Sequence, residues 1–193
     1  MNDTPLSRIG IFAGTFDPIH DGHTSLITEA VNTLELNSVM VLIEEKPWGS
    51  KQPQSLNHRQ NMAEIALQSV EKTSLFREVG AHFTIDKTLP KLESEFQDSE
   101  LYFMFGADVF MRMSHDTWPG LEQLLKHYIV VFERAGITEH AIAEYAKSLG
   151  IVVAIISSKY PDHSSTDVRI NINNRQLWLD KDVAAYIEAN ALY

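Results

Sequence analysis

Residues 9–23 read Ile9-Gly10-Ile11-Phe12-Ala13-Gly14-Thr15-Phe16-Asp17-Pro18-Ile19-His20-Asp21-Gly22-His23. A strand-length apolar run over 9–13 closes on Gly14, passes the turn former Asp17-Pro18 and arrives at a helix start. Over 21–36, Leu26, Ala30, Val31 and Leu34 recur at three- and four-residue spacing, so they share one buried face of a helix. Strand, glycine exit and helix make the opening of a βα unit. The same alternation continues outward. A second strand is predicted over 39–43, a loop over 45–57 with Pro47, Gly49 and Pro53, and a helix over 56–70 with Met62, Ile65, Ala66 and Val70 on its apolar stripe. A short strand near Phe76 and a helix over 86–96 follow, with Pro90 bearing on where that helix starts. Strands over 101–105, 129–132 and 151–156 then alternate with helices over 118–125 and 139–149, the latter stopped by Gly150. Helices over 165–172 and 182–189 complete the chain. No linker divides residues 1–193, and the pattern predicts a single α/β domain with a mostly parallel sheet.

The composition narrows the function classes. The 193 residues hold 16 Lys and Arg against 26 Asp and Glu, a formal net charge of −10. A chain of that sign is repelled by phosphate backbones and anionic bilayers, which argues against nucleic acid and membrane as partners. A local cationic pocket for a small anion remains compatible with it. Cysteine is absent, which removes thiolate metal sites, thiol nucleophiles and disulfides together. Residues 1–8 lack the basic and apolar regions of a signal peptide, and the run over 151–156 is far too short to span a bilayer. The expectation is a cytoplasmic protein.

In open α/β sheets, ligands collect beyond the carboxyl ends of the strands. After the first strand, Gly14 permits a tight exit and Asp21 is a candidate helix cap. Gly22 and His23 fall in the first helical turn, where free N–H groups and the dipole attract anions. His20 and His23, three apart, can aim two imidazoles at one point. As a bare pair they would more often be inert surface residues than metal ligands, and only Asp17 and Asp21 lie near enough in sequence to add a ligand. The second cluster is Ser164-Ser165-Thr166-Asp167-Val168-Arg169. A serine there can cap a helix, Thr166 offers an amide and a hydroxyl, and Arg169 falls on the same face for a bidentate grip on phosphate. An ordinary capped helix with a solvated arginine would read the same way. The chain has no Walker-type glycine loop and no G-x-G-x-x-G fingerprint. It also has no G-x-S-x-G elbow and no H-E-x-x-H zinc motif.

These residues carry a resemblance. Residues 14–23 resemble the G-T-F-D-P-x-H-x-G-H signature of the nucleotidylyltransferase superfamily, and 164–169 its S-S-T-x-x-R partner. Within that superfamily the whole chain is most similar to the bacterial nicotinate mononucleotide adenylyltransferases. Phe83-Thr84-Ile85-Asp86, Gly106-Ala107-Asp108 with Trp118 downstream, the stretch from Val130 to Gly136 and the end from Val183 to Tyr193 all take part. The resemblance implies a Rossmann-like domain of nucleotidylyltransferase type, with helices on both sheet faces. It implies transfer of AMP from ATP to nicotinate mononucleotide, giving deamido-NAD and pyrophosphate, with Mg²⁺ carried by ATP and no metal held by the protein's own residues. His20, His23 and Arg169 would act on the phosphates. Gly14, Thr15, Phe16, Gly22, Gly106, Asp108, Ser165 and Thr166 would bind ATP, and Lys51, Thr84, Trp118 and Arg134 the acceptor.

Two departures lie on the acceptor side. The loop after the second strand reads Pro47-Trp48-Gly49-Ser50-Lys51 where the family usually has P-P-H-K, and Lys87 separates Asp86 from Thr88. They keep open a sister transferase with another phosphate acceptor. A non-catalytic nucleotide-binding protein is a second alternative, against which the presence of both histidines and Arg169 argues. The sequence also leaves a homo-oligomer open.

Overall fold

The computed structural model describes residues 6–46, 52–77, 82–160, 162–171 and 178–193. Its strands are β1 (Ser7–Gly14), β2 (Ser38–Ile43), β3 (Thr73–Phe76), β4 (Ser99–Gly106), β5 (Tyr128–Phe132) and β6 (Val153–Ile156). They form one six-stranded sheet in the order β3-β2-β1-β4-β5-β6, with every neighbouring pair parallel. The order reverses direction between β1 and β4, the switch point where a Rossmann-like sheet opens a crevice at its carboxyl edge.

The helices are α1 (Asp21–Thr33), α2 (Leu56–Leu67), α3 (Thr88–Glu95), α4 (Ala107–Phe110), α5 (Leu121–Leu124), α6 (Glu139–Ser148), α7 (Ser165–Ile170) and α8 (Lys181–Ala189). Side-chain alternation along the strands sorts the core into two halves. Phe12, Val39, Val41, Met104, Val130 and Phe132 point into one cluster with α1, α2 and α8. Ile9, Ile11, Leu42, Phe103, Phe105 and Val131 point into the other, with α3 to α6. Helices therefore cover both faces, and strands buried on both sides read as unbroken apolar runs. No described helix is long and apolar enough to cross a membrane.

Several boundaries differ from the sequence reading, each for a local reason. The first helix ends at Thr33, short of 36, because Glu35 takes a left-handed φ of 52° and turns the chain so that Leu36 is fully buried ahead of β2. The second ends at Leu67, short of 70, and the Thr73 hydroxyl donates to the Val70 carbonyl at 2.7 Å in the turn beyond it. Its stripe centres on Arg59, Met62, Ala63, Ala66 and Leu67, leaving Ile65 and Val70 only partly buried. Trp118 precedes α5, which starts only after Gly120 at φ 82°. Pro90 is the third residue of α3, in the first turn, where a missing N–H costs no helical hydrogen bond. The one-turn helix α4 had no predicted counterpart.

Candidate active site

The exit from β1 is built around Phe16. Its φ of 47° is left-handed, an arrangement costing a non-glycine residue about 1–2 kcal/mol. Its buried ring meets Phe12 edge-on at 5.2 Å and His23 at 5.1 Å. A Cβ on Gly14 would stand 3.1 Å from that ring, so the glycine makes room for Phe16. The loop is pinned from behind by Arg59, which is fully buried in α2. Its guanidinium donates to the carbonyls of Gln54, Thr15, Glu44 and Glu45 at 2.7–2.9 Å, tying the ends of β1 and β2 to one side chain.

His20, not Asp21, is the N-cap of α1, and Asp21 is the first helical residue. His20 and His23 thus occupy the N-cap and N3 positions of a capping box, with imidazoles in place of the usual hydroxyl and carboxylate. The His23 half is closed: the His20 amide donates to His23 Nδ1 at 3.2 Å. That bond fixes the neutral His23 tautomer with its proton on Nε2. The two rings stack with centroids 3.8 Å apart. Gly22 allows this, since a Cβ there would fall 2.9 Å from the His20 ring. His20 is 3% exposed, and neither of its ring nitrogens has a hydrogen-bond partner of good geometry. Burial, with the nearby Arg134 and His163 charges, pushes its pKa down to about 3. Burial, His20 and Arg134 hold His23 well below its ordinary value. Both imidazoles are neutral at pH 7.

The second motif meets the first directly. The Ser165 hydroxyl donates to the Pro18 carbonyl at 2.8 Å, and Arg169 Nη1 donates to the Asp17 carbonyl at 2.6 Å. Arg169 Nη2 reaches Thr166 Oγ1 at 3.2 Å, and the Asp17 carboxylate lies 3.7 Å from Nη1. Ser164 caps α7, accepting from the Asp167 amide and donating to its carboxylate at 2.6 Å. The α7 start therefore already holds a carboxylate, and the cationic character beside it comes from Arg169 and Arg134.

Between β4, β5 and α7 lies an open pocket of about 840 Å³ lined by Asp108, Arg134, Ser164, Asp167 and Trp178, among others. Gly106 lets Asp108 fold back over the strand end, because a Cβ there would fall 2.8 Å from Asp108 Oδ1. Arg134 donates to the His163 carbonyl at 3.3 Å and lines the pocket with Asp108. The His163 ring is sandwiched between Tyr160, at 4.6 Å, and Trp178, at 4.0 Å, with the His20 ring 6.1 Å away edge-on. Among the described residues no group of three or more His, Asp or Glu could hold a metal ion.

Phe83, Phe105 and Trp118 form an aromatic wall, with Thr84 next to Phe83 in the chain. Trp118 is half-buried, edge-on to Phe105 at 5.8 Å and tilted to Phe83 at 6.4 Å. The Glu44 carboxylate accepts from the Phe83 amide at 2.9 Å, joining this wall to β2. The Thr84 hydroxyl is buried without a partner. Lys51, with the whole 47–51 loop, lies outside the described residues.

Sequence reasoning missed Arg59, Glu44 and the aromatic sandwich of Tyr160, His163 and Trp178. Arg59 did leave a signal. It falls at the spacing of Met62, Ala63 and Ala66, a charge on an apolar stripe, which calls for buried partners. The sandwich left none, since Tyr160, His163 and Trp178 fall at no helical or strand spacing.

The model of the cytidylyltransferase-like family matches residues 11–171, from within β1 to the residue after α7. A protein of Leifsonia xyli subsp. xyli named probable nicotinate-nucleotide adenylyltransferase is 32% identical over 204 residues, covering 100% of this chain and 97% of its own. One of the same name from Clostridium botulinum is 32% identical, with 97% and 98% covered. Among solved structures, the nicotinic acid mononucleotide adenylyltransferase of Plasmodium falciparum complexed with NaAD superposes with a TM-score of 0.77 over 97% of both chains at 20% identity, which shows the common fold. With the strand order, the paired motifs and these likenesses in agreement, the chain belongs to the cytidylyltransferase-like family and is a nucleotidyltransferase.

Proposed function

We propose that the protein transfers AMP from ATP to nicotinate mononucleotide, releasing pyrophosphate and forming deamido-NAD. The observation that carries this reading is the joining of the stacked His20–His23 pair to Arg169 through the 17–20 loop, which gathers phosphate-seeking donors at the switch point of the sheet. The names of the bacterial relatives support the choice of acceptor.

An acceptor of this kind attacks through a phosphate monoester, whose second pKa of about 6 leaves it mostly a dianion at neutral pH. No strong base is needed, and no serine or threonine of the site is assigned as a nucleophile. An oxygen of the acceptor phosphate bonds to the α-phosphorus of ATP while the bond to the pyrophosphate oxygen breaks. The difficulty is bringing two anions together as charge moves onto the leaving group. Positioning and preorganised donors meet that need. His23 Nε2–H is a neutral donor of fixed tautomer, and the unpartnered His20 ring regains a hydrogen bond when phosphate enters. Arg169 and Thr166 hold the far side of the triphosphate, and the N-terminal end of α1 adds its dipole. Arg134 and Asp108 flank the adenosine part, while Thr84 and the Trp118 face receive the pyridine ring. Mg²⁺ accompanies ATP as part of the substrate.

Incubation with ATP, Mg²⁺ and nicotinate mononucleotide, with the product identified by mass spectrometry, tests the reading. Deamido-NAD is the expected product, and ATP left intact would refute it.

A further inference from the structure

Asp17 is 4% exposed, and its carboxylate faces three groups from three parts of the chain. Oδ1 accepts from the Gln54 amide at 3.2 Å and from the phenol of Tyr193, beyond α8. Oδ2 faces Arg169 Nη1 at 3.7 Å, too far for a hydrogen bond. Arg169 is anchored instead on the Asp17 backbone carbonyl. The phenol stays a donor at all ordinary pH, because burial, then the hydrogen bond to Asp17 and its charge, push its pKa up. One oxygen of the carboxylate is thus tied down by two donors, and the other stops short of the guanidinium.

We propose that Tyr193 is a positioning residue for Arg169: by holding Asp17 Oδ1 it stops the carboxylate from moving from its loose 3.7 Å ion pair into hydrogen-bonded contact with the guanidinium, and so keeps Arg169 available to phosphate. Without the phenol, Oδ1 is released. The other nearby cation, Arg59, has its guanidinium committed to four backbone carbonyls, so the carboxylate turns to Arg169. A bidentate pair forms, and the guanidinium is occupied before ATP arrives. The inference rests on the adenylyl-transfer reading for Arg169's ligand. It concerns a side chain 176 positions away from Asp17 in sequence.

The test measures the dissociation constant of ATP–Mg²⁺ by calorimetry, together with KM and kcat, for the wild type, Tyr193→Phe, Asp17→Asn and the double variant. Tyr193→Phe weakens ATP binding about tenfold, the scale of one charge-assisted hydrogen bond, and leaves the acceptor KM within about twofold. Adding Asp17→Asn, which removes the competing charge, brings ATP affinity back to within about threefold of the wild type. A merely structural phenol would give no such rescue. Unchanged ATP affinity in folded Tyr193→Phe, or a loss that Asp17→Asn does not relieve, overturns the proposal. Should Tyr193→Phe not fold, Asp17→Asn alone decides: ATP affinity at or above that of the wild type supports the inference, and weaker binding overturns it. A wild type that binds no ATP refutes the functional reading itself, an outcome distinct from these.

Discussion

The rings of His20 and His23 stack 3.8 Å apart at the start of α1, with the His20 amide bonded to His23 Nδ1. One residue thereby sets the tautomer of the other, and Nε2 of His23 becomes a donor without having to carry charge. His23→Ala removes that donor while leaving the Phe16 and Phe12 packing to cover the gap. Turnover should fall about 10²-fold or more, the scale of losing one oxyanion donor, with the circular dichroism spectrum unchanged. Near-normal kcat in this variant would remove His23 from the chemistry.

The same burial makes stability sensitive to acid. The unfolded chain protonates His20 below about pH 6.5, whereas the folded protein resists until about pH 3. The unfolded state therefore binds more protons across that window, and stability falls as the pH is lowered. The slope reaches up to about 1.4 kcal/mol per pH unit for each such histidine. Urea unfolding at pH 7 and pH 5 should show the loss, and His20→Asn should flatten it. An equal slope in the variant would mean that His20 does not carry the effect.

Most of the architecture was legible because β1, β2, β4 and β5 hold apolar runs and most helices are bounded by turn or cap residues. The short β3, with Thr73 and Ser74, and the one-turn α4 carry little such signal. The residues around Gly14 and Arg169 could be placed at strand ends from sequence alone, and the structure brings their loops into contact. What could not be read depends on pairing across distance. Asp17 looks like a turn former, yet it is a buried carboxylate facing Arg169 and Tyr193. Asp21 has the side chain of a helix cap, yet the chain turns one residue earlier and His20 takes that place. Arg134 was expected with the acceptor groups, and its bond to the His163 carbonyl, 29 positions away, could not be read from spacing.

Arg59 offers a test of how the site is held together. Arg59→Met keeps much of the volume but strands the carbonyls of Thr15, Gln54, Glu44 and Glu45. Each orphaned group costs about 1–3 kcal/mol, so chemical denaturation should show a loss of about 3 kcal/mol or more. A variant of wild-type stability would show that water or neighbouring amides replace the guanidinium.

Trp118 tests the acceptor side of the proposed reaction. Its half-buried ring lies edge-on to Phe105 and tilted to Phe83, and the proposed function gives it the pyridine of the acceptor. Trp118→Ala should raise the acceptor KM about tenfold, within the range seen when a stacking aromatic is removed. The ATP KM should change far less. A lowered melting temperature with both KM values intact would make the ring a core residue only.

The choice of acceptor is what most directly distinguishes adenylyl transfer to nicotinate mononucleotide from its alternatives. Pyrophosphate release should be followed with ATP and Mg²⁺ against nicotinate mononucleotide, nicotinamide mononucleotide and phosphopantetheine, each taken to a full kcat/KM. Nicotinate mononucleotide is predicted to give the highest value, by about tenfold or more, the factor a single well-placed polar contact supplies. A higher value with either of the others, or no release with any of the three, would contradict it.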